Sequence, residues 1–148
     1  MSIIVRDASL ADIPAIFTMG HSDVAFTVSD RIRFYEKAEL QEWIASPKDN
    51  ILLVLVADSS SDLAGFLFCK IMSYHWAMLD NFYIQPSFRG QHCDGLLMEE
   101  LAKRLRQRRI AYLTALTAND QPALARYLKR HGFRTASLYQ WNELFLDQ

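Results

Sequence analysis

Several ingredients are scarce in this sequence, and each scarcity excludes something. It has two cysteines in 148 residues, Cys69 and Cys93. That is too few for a disulfide framework, so both thiols are expected to be reduced, as in a cytoplasmic protein. Its four histidines are scattered, and no zinc-ligand spacing forms from them with the cysteines, so no metal is expected. Five glycines and four prolines leave no room for collagen-like, low-complexity or linker segments. A formal net charge of −1 argues against nucleic acid or an anionic membrane as the main partner. No apolar run reaches the roughly 20 residues needed to cross a bilayer. The start, MSIIVRDASLADI, lacks the charged head and long apolar body of a signal peptide. The expectation is one cytoplasmic domain over 1–148 with a sizeable core.

The patterns that are present alternate between two periods. IIVRDA (3–8) reads as a strand. Ser9 and Asp12 stand in capping-box positions before a helix carrying Ile13, Ile16 and Phe17, which Gly20 ends. Residues 21–35 have no clean period, and 36–45 read as a second helix. Three strand-like runs follow at 50–58, 63–72 and 76–86, the first almost wholly apolar, as a strand covered on both faces should be. In the third run the apolar residues do not keep one parity. Either both of its faces are buried, or a bulge sits near Asp80 and Asn81. Residues 93–108 form the clearest helix, with Leu96, Leu97, Leu101 and Leu105 as its apolar stripe. A strand at 109–118, a helix opening near Asn119 and Pro122, and strand material over 133–146 complete the order. The fold class is therefore α/β: a mixed, mostly antiparallel sheet of about seven strands, with at least one β-α-β crossover.

One turn stands out. FRGQHCDGLL (88–97) joins a strand to the long helix. Helix starts leave unpaired backbone N–H groups that bind anions, and glycine lets a phosphate approach the backbone. The same wording also suits a turn that binds nothing. Other residues have two readings as well. Cys93 is either a reactive thiol at a helix start or a small buried residue. Asp80 reads as an edge or bulge residue bonded to backbone. KRLRQRR (103–109) is either a nucleic-acid or membrane patch or the solvated basic end of a helix, and the near-neutral charge favours the latter.

LDNFYIQPSFRGQHCDGLLMEEL (79–101) resembles the acetyl-CoA-binding core of the GNAT superfamily of N-acetyltransferases. The start IIVRDASLADIPAI, the pair of runs VLVADSSSDLAGFLF and the segment NDQPALARYLKRHGF resemble that family's other elements, in the same order. The resemblance implies helices on both faces of the sheet. It implies transfer of an acetyl group from acetyl-CoA to an amine of a small molecule or peptide by direct attack, and family members often form homodimers. Phe82, Tyr83 and Ile84 match the strand end whose backbone holds the thioester and pantetheine. Arg89, Gly90, Gln91, His92, Cys93, Asp94 and Gly95 match the pyrophosphate loop, and Asn119 a pantetheine contact. Asp80 is the candidate general base, and Tyr127 the candidate acid for the leaving thiolate. The irregular segment with Phe26, Phe34 and Tyr35 is the candidate substrate-facing wall.

Two departures stand against the family pattern. His92 and Asp94 occupy loop positions where glycines are usual, and Asp94 brings a like charge towards phosphates. Tyr127 sits one residue before the usual tyrosine position, which Leu128 holds. A binding or regulatory domain with weakened acetyl-CoA use is the competing expectation.

Overall fold

The computed structural model describes residues 2–23, 34–57, 62–117 and 121–147. They fall into two compact units, Met1–Leu116 and Thr117–Gln148. The first unit is built on the apolar runs. β1 (Ile3–Asp7), β2 (Asn50–Ala57), β3 (Leu63–Ile71), β4 (Trp76–Ile84) and β5 (Tyr112–Ala115) lie in that order across one sheet. β1 to β4 are antiparallel neighbours, and β5 runs parallel to β4. A parallel neighbour needs a crossover, and α3 (Cys93–Gln107) supplies it.

β2 and the first seven residues of β3 are buried almost throughout, so both sheet faces are covered. On one face Leu52, Val54, Val56, Phe66 and Phe68 pack with Ile13, Ile16 and Met19 of α1 (Ile13–Ser22), Phe34, and Leu40 of α2 (Lys37–Ala45). The alternate residues Leu53, Leu55 and Leu67 are fully buried on the opposite side, as is the α3 stripe Leu97 and Leu101. Full burial of each such side chain stabilises by about 1.5–3 kcal/mol. Leu96, expected in the α3 stripe, is more than a third exposed.

Local signals act where the sequence placed them. Asp12 accepts the Ser9 backbone N–H at 2.7 Å and holds Arg6 through its two terminal guanidinium nitrogens, at 2.7 and 3.0 Å. A short 3-10 turn, Leu10–Asp12, precedes α1. The basic run at 103–109 works partly as struts. Arg104 spans Asp7 of β1 and Glu100, and Arg108 donates to the Pro47 and Lys48 carbonyls.

The second unit holds α4 (Pro122–Arg130). The described sheet has five strands, which corrects the expected seven or so. The missing two were assigned to 133–146, where the described residues form no strand. Leu138, Tyr139, Leu144 and Leu146 there are more than four-fifths exposed. Alternation of apolar residues signals a half-buried strand only where a neighbouring edge pairs with it. The strand expected over 109–118 shortens to Tyr112–Ala115.

Candidate active site at the bulge of the fourth strand

The parity conflict in the third apolar run has a specific cause. On β3, Phe68 pairs with Asn81 and Cys69 with Leu79, so Asp80 is an extra residue in the ladder. This is a bulge, which bends a strand and re-aims side chains. It also restores parity: Leu79, Phe82 and Ile84 pair with Cys69, Leu67 and Gly65, all of one β3 face. Pairing of β4 with β5 begins at Trp76↔Tyr112 and stops at Leu79↔Ala115, immediately before the bulge. The paired half is locked by the Trp76 indole, which donates to the Thr114 hydroxyl at 2.8 Å.

Asp80 is mostly buried, and burial pushes its pKa up to about 6. Desolvation disfavours the charged carboxylate. Lys70 Nζ lies 3.6 Å from Asp80 Oδ2. The same ammonium lies 5.7 Å from the Trp43 ring centroid, 5.9 Å from Tyr35 and 6.0 Å from Phe68, within cation–π reach of all three. Those rings hold one another: Trp43 stacks on Phe68 at 4.5 Å, and Tyr35 meets Trp43 edge-on at 4.3 Å. Asn81 Nδ2 donates to Tyr35 Oη at 2.6 Å.

Sequence reasoning singled out Asp80 and the 21–35 wall, but missed Lys70, Trp43 and the role of Asn81. A signal for Lys70 was available. Phe66, Phe68 and Lys70 share one face of a period-2 strand, so the lysine follows two core aromatics directly. Within the expected wall, Tyr35 reaches this cluster, Phe34 is buried in the core, and Phe26 lies outside the described residues.

At the other end of β4, Arg89 turns back. Its Nε donates to the Ile84 carbonyl at 2.8 Å, and its guanidinium lies 5.6 Å from the Tyr83 ring centroid. Gly90 has φ +78 with open space where a Cβ would stand. His92, the residue just before α3, adopts φ 60 and ψ 15. This is the left-handed conformation that glycine adopts without penalty and an L-residue adopts at roughly 1–2 kcal/mol. Among the described residues no side chain caps α3, and the Leu96 amide is the first to bond back, onto the His92 carbonyl. Asp94 lies in the first turn of α3, a favourable place for its charge relative to the helix dipole.

Cys93 is 1% exposed and its thiol lies 3.8 Å from the Gln91 carbonyl. Burial and the neighbouring Asp94 charge raise its pKa, which favours the small-buried-residue reading over a reactive thiol. Cys69 is fully buried, and burial pushes its pKa up to about 12.

The sequence pattern of the Acetyltransferase (GNAT) family matches residues 19–133. The chain belongs to the GNAT family. No curated protein sequence matches it significantly. Solved GNAT-like structures share its fold at low identity. The PaiA N-acetyltransferase from Thermoplasma acidophilum, solved with coenzyme A, is 20% identical with a TM-score of 0.75, over 94% of each chain. The aminoglycoside 6′-N-acetyltransferase AAC(6′)-Ih from Acinetobacter baumannii is 12% identical with a TM-score of 0.76, over 98% of this chain and 99% of that one. A transcriptional regulator from Bacillus halodurans is 20% identical with a TM-score of 0.77, over 97% of this chain and all of that one.

On this GNAT frame, β4 carries Asp80, Phe82, Tyr83 and Ile84 in one strand, the turn after it carries Arg89 to His92, and Cys93, Asp94 and Gly95 open α3. Tyr127 belongs to α4 in the second unit, where it is buried with its ring 4.6 Å from that of His131. Asn119 lies outside the described residues. Among the described residues no group of three or more His, Cys, Asp or Glu gathers as for a metal, and no helix is long and apolar enough to cross a membrane. An open depression of about 340 Å³ lies elsewhere, lined by Ile3, Val5, Leu96, Glu99, Glu100 and Lys103. It holds no group of the bulge cluster.

Proposed function

We propose that this GNAT chain works as one acetyltransferase domain over 1–148, moving an acetyl group from acetyl-CoA to a primary amine of a small molecule or peptide. The observation that carries the reading is the break in the sheet at one point: β4 stops pairing with β5 at Leu79, and the next residue is the bulged, mostly buried Asp80.

Acetyl-CoA supplies an activated thioester carbonyl. The chain's own groups divide the remaining work. An alkylammonium is not nucleophilic, so the acceptor must lose a proton. The Asp80 carboxylate accepts it. With a pKa of about 6, Asp80 is a stronger base than an ordinary aspartate yet mostly ionised at pH 7. The amine nitrogen then forms its bond to the acetyl carbon as the carbon–sulfur bond breaks, the nitrogen releases its second proton to solvent, and the departing thiolate takes a proton, so that one proton is released overall. Tyr127 is the candidate donor for that last step. The backbone of Phe82, Tyr83 and Ile84 positions the pantetheine arm, with Asn119 as a further contact. Arg89, Gly90, Gln91, His92, Cys93, Asp94 and Gly95 would hold the pyrophosphate.

Three features of the loop fit a pyrophosphate: open space at Gly90, the left-handed backbone at His92 and the uncapped α3 start. Asp94 opposes it as a like charge, which favours a second reading, a GNAT-fold binding or regulatory domain with weakened acetyl-CoA use. Calorimetry with acetyl-CoA and with CoA separates the two. Saturable binding is expected, and absence of heat at millimolar cofactor would sink the enzyme reading.

A further inference from the structure

The bulge cluster presents a cation and an anion side by side. Lys70 Nζ and Asp80 Oδ2 are 3.6 Å apart, and the Lys70 side chain is 39% exposed, so solvent and solutes reach it. It is not a loose surface lysine. Tyr35, Trp43 and Phe68 flank its ammonium at 5.7–6.0 Å, and Tyr35 is itself fixed by Asn81 at 2.6 Å. Phe68 is fully buried, so this wall has little freedom to withdraw.

We propose that Lys70 selects the acceptor, favouring amines that carry a carboxylate close to the nitrogen, such as α- or β-amino acids. The inference rests on the reading above that the acceptor amine reaches Asp80. To do so the amine must take Lys70's place at that carboxylate. An acceptor with its own carboxylate gives Lys70 a replacement partner, so two ion pairs stand where one stood. A plain amine leaves the Lys70 ammonium without one, in a partly desolvated place. A diamine adds a second positive charge beside it, and like charges at contact distance repel well above thermal energy when water is partly excluded. The 3.6 Å spacing between the two charged groups also suits the compact ammonium and carboxylate of an amino acid. The lysine's position among rings keeps its charge in place during the exchange, because cation–π attraction persists when the carboxylate partner changes.

The test pairs each amino acid with the amine formed by removing its carboxyl group, and adds a diamine. Two readouts are taken on the full chain, wild type and Lys70→Met: equilibrium binding of the acceptors by calorimetry, with and without CoA, and kcat/KM with acetyl-CoA. Wild type should favour the carboxylate-bearing partner by about tenfold or more, as charge complementarity at a partly buried site gives. Lys70→Met should collapse that ratio, and Lys70→Glu should turn it towards the diamine. Equal or better use of the decarboxylated amines by wild type overturns the proposal, as does a ratio unchanged in Lys70→Met. Failure of acetyl transfer alone counts against the proposed enzyme function instead, since acceptor binding still reads the selectivity of Lys70. CoA affinity, measured for each variant, should not change.

Discussion

The two ends of β4 are built on different terms. At the bulge, side chains carry the arrangement and each has a named partner: Asp80 with Lys70, Asn81 with Tyr35, and the lysine with three rings. At the loop, backbone shape carries it: a positive φ at Gly90 and at His92, then an uncapped helix start. A side-chain site is lost when one residue changes. A backbone site can outlast its consensus, because the chain holds the shape and the substituted residue absorbs the strain. That is the state of His92.

The largest effect should come from the bulge. Asp80→Asn is expected to lower kcat/KM by about 10²–10⁴-fold, the usual contribution of a general base, with CoA affinity unchanged. Loss of CoA binding in this variant would show instead that Asp80 supports the fold of the slot. The wild-type rate should rise with pH through about 6, as the carboxylate ionises. Stability runs the other way. The folded chain holds the Asp80 proton more tightly than the unfolded chain does, because burial raises the folded pKa. This group's contribution is therefore complete below the ordinary carboxylate range and is lost as pH rises through about 6. Urea titrations across that window should show a slope in wild type that is reduced in Asp80→Asn.

Gly65 of β3 packs against the loop end of β4. A Cβ there would strike the Tyr83 carbonyl oxygen and crowd Ile84, the strand end proposed to position pantetheine. Gly65→Ala should destabilise the fold by about 1–3 kcal/mol, as overpacking does, and should weaken CoA binding too. A stability loss with unchanged CoA affinity would separate this strand end from the cofactor.

Much of this was legible in the sequence. Periodicity located β1 to β4, α1 to α3 and the crossover, because each buries a continuous face. The bulge was one of two readings of a broken parity, and the ladder decides it: Asp80 is extra. What stayed hidden depends on contacts across the chain. Lys70 reads as an ordinary strand-end charge until Trp43, 27 positions earlier in the sequence, is folded beside it. The 133–146 segment carries strand-like residues, but propensity does not supply an edge to pair with. His92, which stands where the family pattern expects glycine, reads as a side chain crowding the loop, whereas its backbone has the left-handed conformation that glycine adopts without penalty.

Two substitutions probe the loop with smaller effects. Asp94→Gly removes a like charge near the proposed pyrophosphate and should tighten CoA binding about threefold to tenfold, for a partly screened charge pair. The same change removes an acid from the first turn of α3 and adds a helical glycine, so stability should fall by about 1 kcal/mol. Affinity and stability moving in opposite directions is the signature, and unchanged or weaker affinity counts against the repulsion.

His92→Gly should act on the fold alone. It relieves the left-handed strain, roughly 1–2 kcal/mol, but adds unfolded-chain entropy that takes back about 0.5–1 kcal/mol. The net is a gain of about 0.5 kcal/mol, read as a higher urea midpoint at unchanged slope. CoA affinity should hardly move, because the backbone already has the shape that glycine would give it. A large gain in CoA affinity would mean that the imidazole itself blocks the loop, and that side chains govern this end of β4 as they govern the other.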